Sequence, residues 1–108
     1  MIEVKAFIGT NGYYKGFTVT GHAEYASDRD RYDLVCAAVS AVTLTTACGL
    51  QDILKEKGTY ESSSGSLSVS LTGGGNAETD ILIQSMLHGL KLIRDQHPEN
   101  LKLQEAKG

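Results

Sequence analysis

Two side chains in this 108-residue sequence have the chemistry of a nucleophile and its base: Cys36 and His22. A thiolate is the reactive form of cysteine, and a neighbouring imidazole is the usual means of producing it near neutral pH. The local sequence provides positions for both groups. His22 follows Gly21 at the end of a predicted strand. Cys36 lies in Asp33-Leu34-Val35-Cys36, at the head of a long apolar stretch. With Asp33 read as a helix N-cap, Cys36 falls in the first helical turn. The unpaired N–H groups and the positive dipole end there would favour a thiolate and could hold an oxyanion. A strand end and the following helix start are commonly neighbours, which would bring His22 within reach of Cys36. The plain alternative is that a lone cysteine in an apolar helix packs and a lone histidine at a strand end faces solvent.

The elements that must hold these residues are legible from periodicity. Ile2 to Ile8 alternates as a strand, Asn11-Gly12 reads as a hairpin turn, and a second strand runs from about Tyr14 to Gly21. Residues 23–32 are polar, charged and aperiodic, and predict an exposed loop that could act as a lid. Leu34 to Lys57 predicts one deeply buried helix, stopped by Gly58. Thr59–Ser64 and Ser66–Thr72 form a second hairpin around Gly65. Asn76 caps a helix from about Ala77 to Gln96, which Pro98 terminates. Leu101–Gln104 is a last short strand, and residues 105–108 are expected to fray. The order ββαββαβ predicts one α+β domain over residues 1–108, with two helices on a mostly antiparallel sheet.

Bulk properties narrow the functional classes. A net charge of −3, from 13 acidic and 10 basic residues, argues against a nucleic-acid binder. Cys36 and Cys48 are separated by 11 residues, which is neither a zinc-site nor a redox-pair spacing. No signal-like segment opens the chain and no apolar run approaches membrane-spanning length, so a cytoplasmic protein with reduced thiols is expected. Cys48 is expected to be buried packing, ~18 Å along the helix from Cys36. His88 and His97 read as helix residues, so no metal is predicted, and no other cofactor. Gly73-Gly74-Gly75 lacks a phosphate-loop signature and reads as a flexible connection.

Taken together, Gly21-His22-Ala23 and Asp33-Leu34-Val35-Cys36-Ala37-Ala38-Val39-Ser40 resemble the signature of the ribosomal-processing cysteine protease (Prp) family. The resemblance extends over nearly the whole chain in length and element order. It implies a cysteine endopeptidase with Cys36 as nucleophile and His22 as base. The implied substrate is the precursor of large-subunit ribosomal protein L-twenty-seven, whose N-terminal extension would be removed. It also implies a homodimer, and an apolar pocket near Cys36, because cleavage in the family follows an aromatic pair. Gly21, Asp33 and Ser40 are the candidate orienting or substrate-binding residues. Ser40 is one turn beyond Cys36 on the same helix face. One departure is the loop before Asp33, Ser27 to Tyr32, which lacks the glycine common in the family. The competing reading is a non-catalytic dimeric module that binds a ribosomal protein or assembly factor. A thiol redox or transfer enzyme ranks behind it, lacking a resolving cysteine. The second helix and the Leu67 strand are candidates for the dimer interface.

Overall fold

The strand register sorts the side chains onto two faces of one sheet. In the computed structural model, residues 1–21 and 34–108 are described in full and residues 29–33 by their backbone. Five strands, β1 (Ile2–Ile8), β2 (Tyr14–Thr20), β3 (Gly58–Ser63), β4 (Ser66–Leu71) and β5 (Leu101–Lys107), are ordered β3-β4-β2-β1-β5. All neighbours are antiparallel except β1 and β5. Ala6 opposes Phe17, Phe17 opposes Val69, and Ile2 opposes Leu101. Opposed residues share a face, so one side of the sheet is apolar and buried. The other presents Lys5, Thr18, Ser68 and Glu61, opposed in sequence across four strands. Helices α1 (Arg29–Cys48) and α2 (Ala77–Gln96) supply the second layer of the core. This is the α+β order ββαββαβ that the sequence predicted.

α2 starts where its cap dictates. The Asn76 side chain accepts hydrogen bonds from the N–H groups of Glu78 and Thr79, both at 3.0 Å, and the Asn76 N–H donates to Thr79 Oγ1 at 2.8 Å. Two N–H groups that no helical turn can satisfy are thereby paired. Ile83, Met86, Leu87 and Leu90 of α2 are buried at helical spacing.

α1 departs from the sequence expectation at both ends. It begins at Arg29, so residues 29–32 are helical and Asp33 is the fifth helical residue, not the cap. Residues 22–28, with the rest of the expected loop and any lid it would form, lie outside the described residues. At the other end a π-helical turn, Gly49–Ile53, follows α1. Leu54 N–H reaches the Gly49 carbonyl five residues back, Glu56 N–H reaches that of Leu50, and Lys55 takes φ +52°. The left-handed stop is thus Lys55, while Gly58 opens β3. The inner stripe of α1 is Val35, Val39, Thr43, Thr46 and Ala47, and Leu50 of the π-helical turn continues it. Outside that stripe Leu34 is 72% exposed, Leu44 is 42% exposed, and Cys48 is exposed. Cys48 is therefore not core packing: twelve positions past Cys36, it has rotated out of the buried stripe. By length and composition Leu34–Ile53 is also a helix that could cross a membrane, contrary to expectation, although one side of it packs in this core.

β5 extends three residues further than predicted. It pairs with β1 along its length, and Gly108 N–H still donates to the Ile8 carbonyl. Two side chains fasten it: Tyr14 OH donates to the Glu105 carboxylate at 2.5 Å and Lys15 Nζ to the Gly108 carbonyl at 2.6 Å. Burial, and then the Glu105 contact, push the Tyr14 phenol up to about 12. Leu67, a candidate dimer contact from sequence, is only 7% exposed and belongs to the core.

Candidate active site

The Cys36 thiol is half-buried on the inner side of α1, where that helix crosses the ends of β1, β2 and the β3–β4 hairpin. A cleft of about 310 Å³ opens beside it. Val39, Thr43 and Leu44 of α1 form one wall; Ile2, Val19 and Leu67 of the sheet form the other. Gly21, Ser40 and the hairpin residues Ser62, Ser63, Gly65 and Ser66 make the rim. The buried Thr43 hydroxyl already donates to the Val39 carbonyl at 2.8 Å, so the inner wall is effectively apolar. The volume is at the small end for ligand pockets and suits a side chain or two rather than a cofactor. Among the described residues no cluster of histidine, cysteine and carboxylate side chains could hold a metal.

The starting point of α1 changes the chemistry expected at Cys36. It is the eighth helical residue, ~10 Å along the axis from Arg29. Only the first four N–H groups of a helix lack an internal partner, and the dipole's influence fades within the first turn. The Cys36 N–H therefore does not belong to an oxyanion hole at a helix end, nor does the thiol lie in the field of one. The signal missed in the sequence was polar: Arg29 to Asp33 precedes the apolar run, yet it is already helical.

Gly21 is the last described residue before His22 and is tightly constrained. Its φ is +123°, and its N–H donates to the Gly65 carbonyl at 3.2 Å. A Cβ at this position would lie 2.4 Å from the Met1 carbonyl oxygen and 2.9 Å from Ile2 Cα. Only glycine fits both the dihedral and the space. Gly21 is thereby fixed at the cleft rim. His22 lies outside the described residues, and so does the Asp33 side chain. Gly21, Cys36 and Ser40 line one cleft. Sequence reasoning missed the contributions of Ile2, Val19 and the hairpin tip. Its one legible trace was the serine-rich turn around Gly65.

A half-buried thiol on the wall of an apolar cleft is placed to act as a nucleophile once a base activates it. The chain belongs to the cysteine protease Prp family, whose model matches residues 1–102. It is thus a cysteine-type peptidase. Its fold superposes on the essential ribosomal processing protease Prp from S. aureus in complex with a substrate peptide. That pair has a TM-score of 0.86 at 23% identity, over 97% of this chain and 99% of that one. The same S. aureus protein with a covalently linked product peptide gives 0.82 at 24%, over 97% and 99%. SMU.848 from Streptococcus mutans gives 0.82 at 19%, over 100% and 99%. At these identities the likeness is one of fold. No curated protein sequence matches the chain.

Proposed function

We propose that the protein is a ribosomal-processing endopeptidase that removes the N-terminal extension of ribosomal protein L-twenty-seven in the cytoplasm, through a His22–Cys36 dyad. The observation that carries this reading is that Cys36 and Gly21, the residue bonded to His22, line the same apolar cleft. The peptide-bound and product-linked S. aureus relative supports the substrate class. His22 takes the proton from Cys36, and the thiolate attacks the scissile carbonyl carbon. The tetrahedral adduct collapses as His22 protonates the leaving amine, which leaves an acyl-enzyme on Cys36. Water, deprotonated by His22, then attacks the thioester and frees the thiol. The apolar walls would take the aromatic side chains before the cut. Asp33 and Ser40 are proposed to orient His22 or substrate. A homodimer is proposed as well, with the exposed Leu34 of α1 as a candidate contact.

The test is incubation with a peptide spanning an extended L-twenty-seven N-terminus, followed by mass spectrometry. One cut releasing the extension is expected from the parent protein. None is expected from Cys36→Ala, and near-parent cutting from Cys48→Ala. Loss of activity on changing Cys48 but not Cys36 would overturn the assignment.

A further inference from the structure

β3 ends the sheet, and among the described residues it is bonded to a strand on one side only. Its backbone polarity follows from the register. Ser63 and Ser66 close a hairpin over a two-residue turn, so they exchange both backbone bonds. Alternate pairs, Glu61 with Ser68 and Thr59 with Ser70, do the same. The next pair in that series, Thr72 N–H to the Lys57 carbonyl, is present at 2.9 Å. The alternation holds across the sheet: it sends Ile2 N–H to the Asn100 carbonyl and Gly108 N–H to that of Ile8, and both bonds are formed. By the same parity the amides and carbonyls of Gly58, Tyr60 and Ser62 point off the open edge. No backbone bond to Tyr60 or Ser62 occurs among the described residues outside the β3–β4 ladder.

Open edges are ordinarily blunted with lysine, proline or a bulge. β5, the opposite edge, carries Lys102 and Lys107. β3, Gly-Thr-Tyr-Glu-Ser-Ser, has no lysine or proline and no break in register. Its one charge, Glu61, pairs with Ser68 on the face turned away from the helices. The unprotected edge also leads to the reactive centre, because Ser62 and Ser63 line the cleft that holds Cys36.

We propose that the polypeptide substrate binds as an added strand on β3, bonding to the outward backbone groups of Tyr60 and Ser62. This inference rests on the proteolytic reading and states how that site holds its substrate. Strand addition fixes an extended main chain before bond cleavage, and it leaves specificity to alternate side chains. Every second residue of the bound segment then turns toward the helices and the apolar cleft, while those between face solvent.

The experiment is amide hydrogen exchange by NMR on Cys36→Ala, with and without the extended L-twenty-seven peptide. At least tenfold slowing is expected at Tyr60 and Ser62, with little change at Glu61 and Ser63, whose amides already bond to β4. Binding without slowing at Tyr60 and Ser62 overturns the inference. So does concentration-dependent protection of these amides in the peptide-free protein, which would assign the edge to a second copy. Ser62→Pro provides a kinetic check, since proline removes an outward N–H and spares the β4 ladder. At least a tenfold rise in KM with nearly constant kcat is expected, and an unchanged KM counts against strand addition. If the parent protein leaves the peptide uncut, the proteolytic reading fails and this inference with it. If it cuts the peptide while both amides exchange freely, strand addition alone fails.

Discussion

Replacing Gly21 by alanine tests whether the cleft rim sets the geometry of the reaction. The new Cβ meets the Met1 carbonyl oxygen at 2.4 Å and Ile2 Cα at 2.9 Å, and both are backbone atoms that cannot rotate aside. Ordinary contact is ~3.5 Å, so the 21–22 backbone and the start of β1 must part by about 1 Å. The φ of +123° adds a dihedral cost of about 1–3 kcal/mol for a residue with a Cβ. A displacement of about 1 Å at a catalytic group costs on the order of 100-fold in rate, or about 2.7 kcal/mol of transition-state stabilisation. Gly21→Ala should therefore unfold at lower urea and, while still folded, show kcat/KM about 100-fold below the parent. Gly12→Ala is the control. Gly12 also has positive φ, +87°, but a Cβ there meets nothing within 4 Å. It should lose less stability, from the dihedral cost alone, and keep its activity. Parent-like kcat/KM in folded Gly21→Ala, or equal activity losses in the two variants, would refute the reasoning.

Other expectations concern the thiols, the C-terminal strand and the second helix. If the proposed dyad forms, Cys36 should be alkylated by iodoacetamide near neutral pH, and His22→Ala should slow that reaction at least tenfold while leaving Cys48 unaffected. Equal slowing at both thiols would argue against a specific pair. Tyr14 should ionise late, near pH 12 by absorbance at 295 nm, and Glu105→Gln should lower that midpoint. Because the folded-state value lies above the ordinary 10, the Tyr14 contribution to stability is complete below pH 10 and disappears as pH rises through 12. Asn76→Ala removes both cap bonds to α2 and should cost about 1 kcal/mol in urea unfolding, with cleavage unchanged.

Much of this architecture could be read from local pattern. β1 and β4 alternate apolar and polar residues because one face of the sheet is covered and the other is not. Asn76 was recognisable as a cap because its side chain replaces a missing helical acceptor. The ends of α1 were harder to read. Arg29 to Asp33 has no apolar stripe, and periodicity reports burial rather than helicity. At the other end, the non-glycine Lys55 takes the left-handed turn, and a π-helical turn shifts the register, so Gly58 was mistaken for the stop. Cys48 looked buried because the residues around it are apolar on all sides of the helix, which hides the true inner stripe. The last residues of β5 were read as frayed because Glu105 and Lys107 are charged, but an edge strand is held by backbone bonds whatever its side chains. At the site, the sequence offered Cys36 and Ser40, which share one cleft. Beyond the serine-rich turn around Gly65, it gave no sign that Ile2 and Val19 would complete it, since those contacts depend on the sheet order.

The parallel pairing of β1 with β5 has a consequence for timing. Ile2 is part of the cleft wall, yet its amide bonds to Asn100 and its register partner is Leu101. That wall is therefore fixed only once Asn100 and Leu101, far along the sequence, have paired with Ile2. Long-range pairing of this kind also slows the folding search. Completion of the cleft should therefore follow the docking of β5 on β1.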